Sequence, residues 1–209
     1  MPRKRKVRQR SLRLVLGLGN PGKKYYFSRH NLGYQVVDKL ARDYDVALRE
    51  EGLLVQLGAG RLQGKEFILA KPMTFMNLSG EAAHYLREKL KICPEEILVV
   101  HDDMDLPFGR LKLVQGGGSG GHKGVASIID KLGTEQIPRL KIGIGKPIDG
   151  DGVSYVLSGF SKEEMEVLPQ IIEKAKMAIE LILKEGLPKA MSIFNVRARP
   201  ESRGEGCLK

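Results

Sequence analysis

Arg13-Leu14-Val15-Leu16-Gly17-Leu18-Gly19-Asn20-Pro21-Gly22 is an apolar run cut short by a Gly-Asn-Pro-Gly turn. It reads as a buried strand, and Leu32, Val36, Val37 and Leu40 follow at the spacing of one helix face. Strand, turn and helix in that order open an α/β domain. Further along, Leu53 to Leu57 and Phe67 to Ala70 are expected as strands around a glycine-rich turn, and Ser79 as the N-cap of a helix ending near Leu90. Ile97 to Val100, Leu111 to Val114 and Leu140 to Ile144 are three more candidate strands. Before the last of them come a glycine-rich loop and a helix with Val125, Ile128, Ile129 and Leu132 on one face. A long helix begins at the capping box Ser161-Lys162-Glu163-Glu164 and carries Ile171, Ile172, Ala175, Ile179, Ile182 and Leu183 inward. Pro169 inside it predicts a kink or a break. With no internal repeat and no linker, the pattern is one α/β domain with a mixed sheet.

The composition agrees. The chain has 209 residues, 42% of them hydrophobic, which suits one domain with a sizeable core and excludes disorder and collagen. No apolar run reaches the roughly 18 to 20 residues of a membrane span, and the N-terminus lacks the apolar stretch of a secretory signal. Cys93 and Cys207 lie far apart, so neither a disulfide framework nor a metal knuckle is available, and a reducing cytoplasm is the expected compartment. The net charge of +10 needs dividing: residues 1–13 hold seven Lys or Arg and no acid, leaving 28 basic against 25 acidic residues elsewhere. Residues 1–12 therefore form a basic tail, read either as a polyphosphate-attracting arm or as a solvated extension. The folded domain is expected over 13–196, with a polar C-terminal tail over 197–209.

Several polar clusters carry possible chemistry. Gly17 to Gly22 formally satisfies the dinucleotide-binding pattern G-x-G-x-x-G, yet no helical periodicity follows it for ten residues and Asp38 falls mid-helix, so this match is a decoy. Pro21 instead holds Asn20 extended, with its amide projecting from the end of the strand; an ordinary Asn-Pro turn is the plainer reading. His30 precedes a helix that Asn31 is placed to cap, and a helix N-terminus keeps an imidazole neutral, as a general base requires. His101-Asp102-Asp103-Met104-Asp105 follows an apolar strand, where an acid can orient a histidine. Those three acids match no zinc or calcium pattern, so metal dependence is not expected. His84 and His101 read as structural. Asn77 offers a second amide, while Phe75 and Met76 suit either core packing or contact with a base or sugar. The loop Gly116 to Gly124 lets backbone approach a ligand, and its His122 and Lys123 suit an anion or carbonyl contact; it is not a Walker loop.

Taken in order, GLGNPG, Tyr25, Ser28-Arg29-His30-Asn31, Lys71 to Gly80, His101 to Pro107, the glycine loop and Arg139 to Gly145 closely resemble bacterial-type peptidyl-tRNA hydrolase over about residues 13–195. The resemblance implies a three-layer α/β/α sandwich around a mixed, mostly parallel sheet. It also implies cofactor-free hydrolysis of the ester between a peptide and tRNA, recycling tRNA from prematurely released chains in ribosome rescue. On the matching motifs it assigns His30 as the base acting on water, Asp102 as its supporting acid, and Asn20 to discriminating peptidyl-tRNA. Tyr25, Phe75, Asn77 and Lys123 fall at substrate positions; many members have Asn at the place of Lys123, and a charged lysine cannot accept a hydrogen bond. Lys141 falls at a basic position for tRNA contact, and Lys112 and Arg139 extend that patch. The partner implied is tRNA, with no membrane and no obligate protein partner, the chain acting as a monomer. The competing reading is a catalytically idle RNA-binding or splicing-factor relative on the same fold. Retention of Asn20, His30, Asn77 and Asp102 argues against it, because binding alone needs no base with its acid.

Overall fold

A computed structural model of the chain describes residues 11–147 and 151–196. The elements run β1 (Leu14–Gly17), α1 (Leu32–Asp43), β2 (Arg49–Glu51), β3 (Val55–Leu62), β4 (Lys65–Pro72), α2 (Ser79–Leu90), β5 (Ile97–Asp103), β6 (Leu111–Val114), α3 (Lys123–Leu132), β7 (Arg139–Gly143), α4 (Gly152–Leu157), α5 (Lys162–Glu185) and α6 (Leu187–Phe194). The apolar run of β1 sits in the middle of a seven-stranded sheet ordered β2-β3-β4-β1-β5-β7-β6. It pairs in parallel with β4, Val15 opposite Leu69, and with β5, Val15 opposite Leu98; β7 extends the parallel run beside β5. β2–β3, β3–β4 and β6–β7 pair antiparallel, so the sheet is mixed, with only β3 and β6 running against the other strands. Helices α1, α5 and α6 bury Val37, Leu40, Ile179 and Ala190 on one face. Helices α2 and α3 bury Ala83, Leu86, Val125 and Ile128 on the other, which completes the α/β/α sandwich.

The glycines of the first motif have a packing role. A Cβ on Gly33 would enter the backbone of Leu18 and Val100, and one on Gly17 would meet the carbonyl of Gly33, so α1 lies against β1 at a distance only glycine permits. No helix opens on these glycines. Short 3₁₀ turns at Lys23–Tyr25 and Arg29–Asn31 intervene, and α1 begins only at Leu32, so the dinucleotide pattern is a decoy in three dimensions also.

Several local expectations are corrected. Ser79 is the first residue of α2 and does not cap it; its hydroxyl donates to the Met76 carbonyl at 2.8 Å, from a 3₁₀ turn at Met76–Leu78. The strand expected at 53–57 runs instead over β3, because Gly58 and Gly60 lie within it beneath the crossing chain at Val46 and Ala47; the turn is at Gln63 and Gly64. Edge strand β2 is polar, Arg49-Glu50-Glu51, and carries no apolar signal. Short helices α4 and α6 were also unsignalled by long periodicity. Helix α5 passes unbroken through Pro169, which sits on the exposed side with Met165, whose carbonyl loses its donor where water can replace it. Leu12 already packs on the core. Residues 1–10 of the expected basic tail and the whole of 197–209 lie outside the described residues. Among the described residues no helix is long and apolar enough to cross a membrane.

The chain leaves β1 for α1 on one face and leaves the neighbouring β4 for α2 on the other. Such a divergence opens a crevice at the carboxyl ends of the strands. Gly33→Ala should force α1 away from β1 and destabilise the fold by about 1–3 kcal/mol, read as a lower urea midpoint with little change in slope.

Candidate active site

Asn20 follows β1 into that crevice and is 6% exposed. Its position is fixed from both sides by Asn31: the Asn20 N–H donates to Asn31 Oδ1 at 2.8 Å, and Asn31 Nδ2 donates to the Asn20 carbonyl at 2.9 Å. Asn31 therefore does not cap α1 with its side chain, as its sequence position suggested. The Asn20 Oδ1 accepts from the Met76 N–H at 2.8 Å. Because that donor can only meet an oxygen, the amide orientation is determined, and Nδ2 is the atom left to face the crevice.

His30 lies in the 3₁₀ turn before α1, and its Nδ1 stands 2.9 and 3.0 Å from the two oxygens of Asp102 on β5. The carboxylate accepts the Nδ1 proton, which leaves Nε2 as the basic atom. Asp102 also accepts from His122 Nε2 at 3.1 Å, and the His122 Nδ1 in turn accepts from the Val125 N–H at 3.2 Å. His101, read from sequence as structural, is buried one residue away; its Nδ1 donates to the Asp102 carbonyl at 2.6 Å, and its ring meets that of His122 edge-on at 4.6 Å. Burial works against a charge on Asp102, yet the imidazoles of His122 and His30 hold its carboxyl well below the usual carboxylate range. Burial and the neighbouring His122 push His101 well below the ordinary imidazole value, so it stays neutral.

His30, Asp102 and His122 open into a cavity of about 840 Å³ that Asn20, Tyr25, Phe75, Asn77 and Lys123 also line. All seven residues expected at the catalytic and substrate positions, Asp102 included, thus meet in one place. Met76 is packed in the core and Phe75 is 56% exposed, and both border the cavity. Helix α4 forms the far wall with Val153, Val156 and Leu157. Lys112, Arg139 and Lys141 are not among the lining residues. Lys112 is exposed on β6 opposite Lys141 on β7, whose Nζ pairs with Asp103 at 2.6 Å. Arg139 is corrected from a surface contact to an anchor: it is 2% exposed and its guanidinium donates to the carbonyls of Gly117 and Gly118 at 2.5 and 2.8 Å.

The three acids after β5 are divided. Asp103 pairs with Lys141 and Asp105 with Lys146, leaving Asp102 alone to the histidines. Among the described residues His30, Asp102 and His122 are the group that could hold a metal, with donor atoms within 4.8 Å of one another. Those atoms already hydrogen-bond to each other, so an ion would have to displace both contacts.

Residues 14–202 match the family model for peptidyl-tRNA hydrolase. The chain belongs to the peptidyl-tRNA hydrolase family. A peptidyl-tRNA hydrolase of Geotalea daltonii is 44% identical over 185 residues, covering 88% of this chain and 97% of the relative. That of Desulfitobacterium hafniense is 46% identical over 187 residues, covering 88% and 100%. The crystal structure of peptidyl-tRNA hydrolase from Acinetobacter baumannii has a TM-score of 0.83 at 35% identity, covering 88% of this chain and 95% of that one. Sequence reasoning within this family missed the second imidazole on Asp102. His122 stands at the N-cap of α3, a place where a histidine can accept a backbone N–H with one ring nitrogen and donate with the other, and that was the available signal.

The low folded-state pKa of Asp102 has a consequence for acid stability. A depressed carboxyl contributes stability above its unfolded value, near 4, and loses it as the pH falls toward the folded value. Urea midpoints measured from pH 6 to pH 3 should therefore fall less steeply for Asp102→Asn than for the parent below about pH 4.

Proposed function

We propose that this chain hydrolyses the ester between the peptide and the 3′ ribose of peptidyl-tRNA, using His30 as general base on water. The observation that carries this is the buried His30–Asp102 pair opening into the same cavity as the free amide nitrogen of Asn20. Water between Nε2 and the ester carbonyl loses its proton to His30 as its oxygen bonds to the carbonyl carbon. Asp102 stabilises the imidazolium so formed. The bond to the ribose oxygen then breaks, and that oxygen takes the proton back from His30. Asn20 Nδ2 donates to a carbonyl oxygen of the peptide, a contact that a free aminoacyl group lacking a peptide link does not offer in the same form. Uncharged amides at Asn20 and Asn77 suit this, because they read a peptide without favouring charge.

The exposed Lys123 at the cavity replaces a neutral amide by a cation and suits a phosphate near the 3′ end. Lys112 and Lys141 serve as weaker contacts to the tRNA backbone, and Arg139 acts through the loop it anchors. The reaction needs no metal or cofactor. The enzyme acts as a monomer in the cytoplasm, returning tRNA from prematurely released chains.

Purified protein incubated with a blocked aminoacyl-tRNA should release the acyl group equally with and without chelator. His30→Ala should lower turnover by about 10²–10⁴ with tRNA affinity nearly intact, and Asp102→Asn should slow it as well. Cleavage by His30→Ala at the parental rate would falsify the assignment. Lys123→Asn should reduce the slope of log affinity for tRNA against log salt by about 1, and an unaltered slope excludes its phosphate contact.

A further inference from the structure

The residue before the base is an arginine whose side chain points away from the chemistry. Arg29 is 7% exposed, and its two terminal nitrogens reach the two oxygens of Glu164 at 2.8 and 2.6 Å. Its guanidinium carbon lies 4.4 Å from the ring centroid of Tyr155 in α4 and 4.9 Å from that of Phe160. The backbone joins in: the Arg29 N–H donates to the Ser158 carbonyl at 3.0 Å, and Ser28 bridges to Gly159. Glu164 is itself fixed as the third residue of the α5 capping box, accepting from the Ser161 N–H at 2.8 Å. Tyr155 is tied to the sheet through its hydroxyl, which donates to the Ile144 carbonyl at 2.6 Å.

One side chain thus connects three bodies: the turn that holds His30, helix α4 that walls the cavity, and the start of α5. Among the described residues the Arg29 Nε is buried without a hydrogen-bond partner, so the planar head is held by the carboxylate and the two rings alone. Lysine cannot reproduce a bidentate, stacked contact of this kind. Core packing by itself does not call for an enclosed ion pair here, since such pairs are weak contributors to stability.

We propose that Arg29, clamped by Glu164 and stacked between Tyr155 and Phe160, is a positioning residue that sets the gap between the His30 imidazole and the α4 wall. This rests on the reading of His30 as base. An ester held between wall and base reacts only when the water, Nε2 and carbonyl carbon are in line, and a displacement of about 1 Å can lower a rate by about 10²-fold. None of the clamp residues lines the cavity, so the clamp acts through His30 and α4.

Glu164→Gln and Arg29→Lys test this with blocked aminoacyl-tRNA as substrate, the folded fraction of each variant being measured by urea unfolding. Each should lower kcat by about ten- to a hundredfold per folded molecule, with KM within about twofold of the parent. The double variant should lose little more than the worse single one, because both remove the same clamp. Parental kcat in folded Glu164→Gln and Arg29→Lys overturns the proposal, as does a loss accounted for by unfolded protein or one confined to KM. Absence of turnover by the parent sinks the hydrolase reading instead, which keeps the two failures distinct.

Discussion

A single carboxylate buried at the end of β5 constrains the rest of the molecule. Asp102 is 1% exposed, and a charge taken out of water costs several kcal/mol unless donors surround it. The donors here come from elements far apart in the chain: His30 before α1 and His122 at the cap of α3, with His101 tied to its backbone carbonyl. The β5 strand must therefore be central, so that turns from both faces of the sheet can reach its end. The seven-strand order places it between β1 and β7, where this is possible.

Close packing then turns topology into reach. Because Gly17 and Gly33 let α1 lie on β1 at backbone contact, the turn ahead of α1 is drawn down onto the strand ends, and His30 arrives beside Asp102. The same turn delivers Asn31 to the backbone of Asn20, whose side chain is in turn held by Met76 after β4. A glycine pattern that superficially announces a dinucleotide thus serves to compress the site into one crevice.

Much of this was legible from residues alone because burial leaves periodic traces. The apolar runs of β1 and β5, the faces of α1, α2, α3 and α5, and the polar groups at strand ends all follow from where water is excluded. Elements without that trace were not legible. Edge strand β2 is charged, Gly58 and Gly60 hid the length of β3, and α4 is a six-residue helix with one buried residue. Tertiary contact likewise decided matters that spacing could not: Arg139 looked like a surface cation until its carbonyl partners enclosed it, and Pro169 was tolerated because it faces water. The site residues were individually ambiguous and became specific only as an ordered set, since no local pattern reports that residues 30, 102 and 122 converge.

Two imidazoles share Asp102, and the structure distinguishes how their ring nitrogens are engaged. His122 Nδ1 accepts the Val125 N–H while its Nε2 donates to the carboxylate, so both nitrogens are engaged and a second proton would displace the cap of α3. That loss would leave the Val125 N–H without its acceptor. His30 has no such obligation. Its Nδ1 is fixed by the carboxylate and its other nitrogen belongs to a ring that lines the cavity, so protonation there creates an ion pair with Asp102 and breaks nothing. On the proposed reading base chemistry falls to His30, and His122 is left to hold the carboxylate and the glycine loop in register.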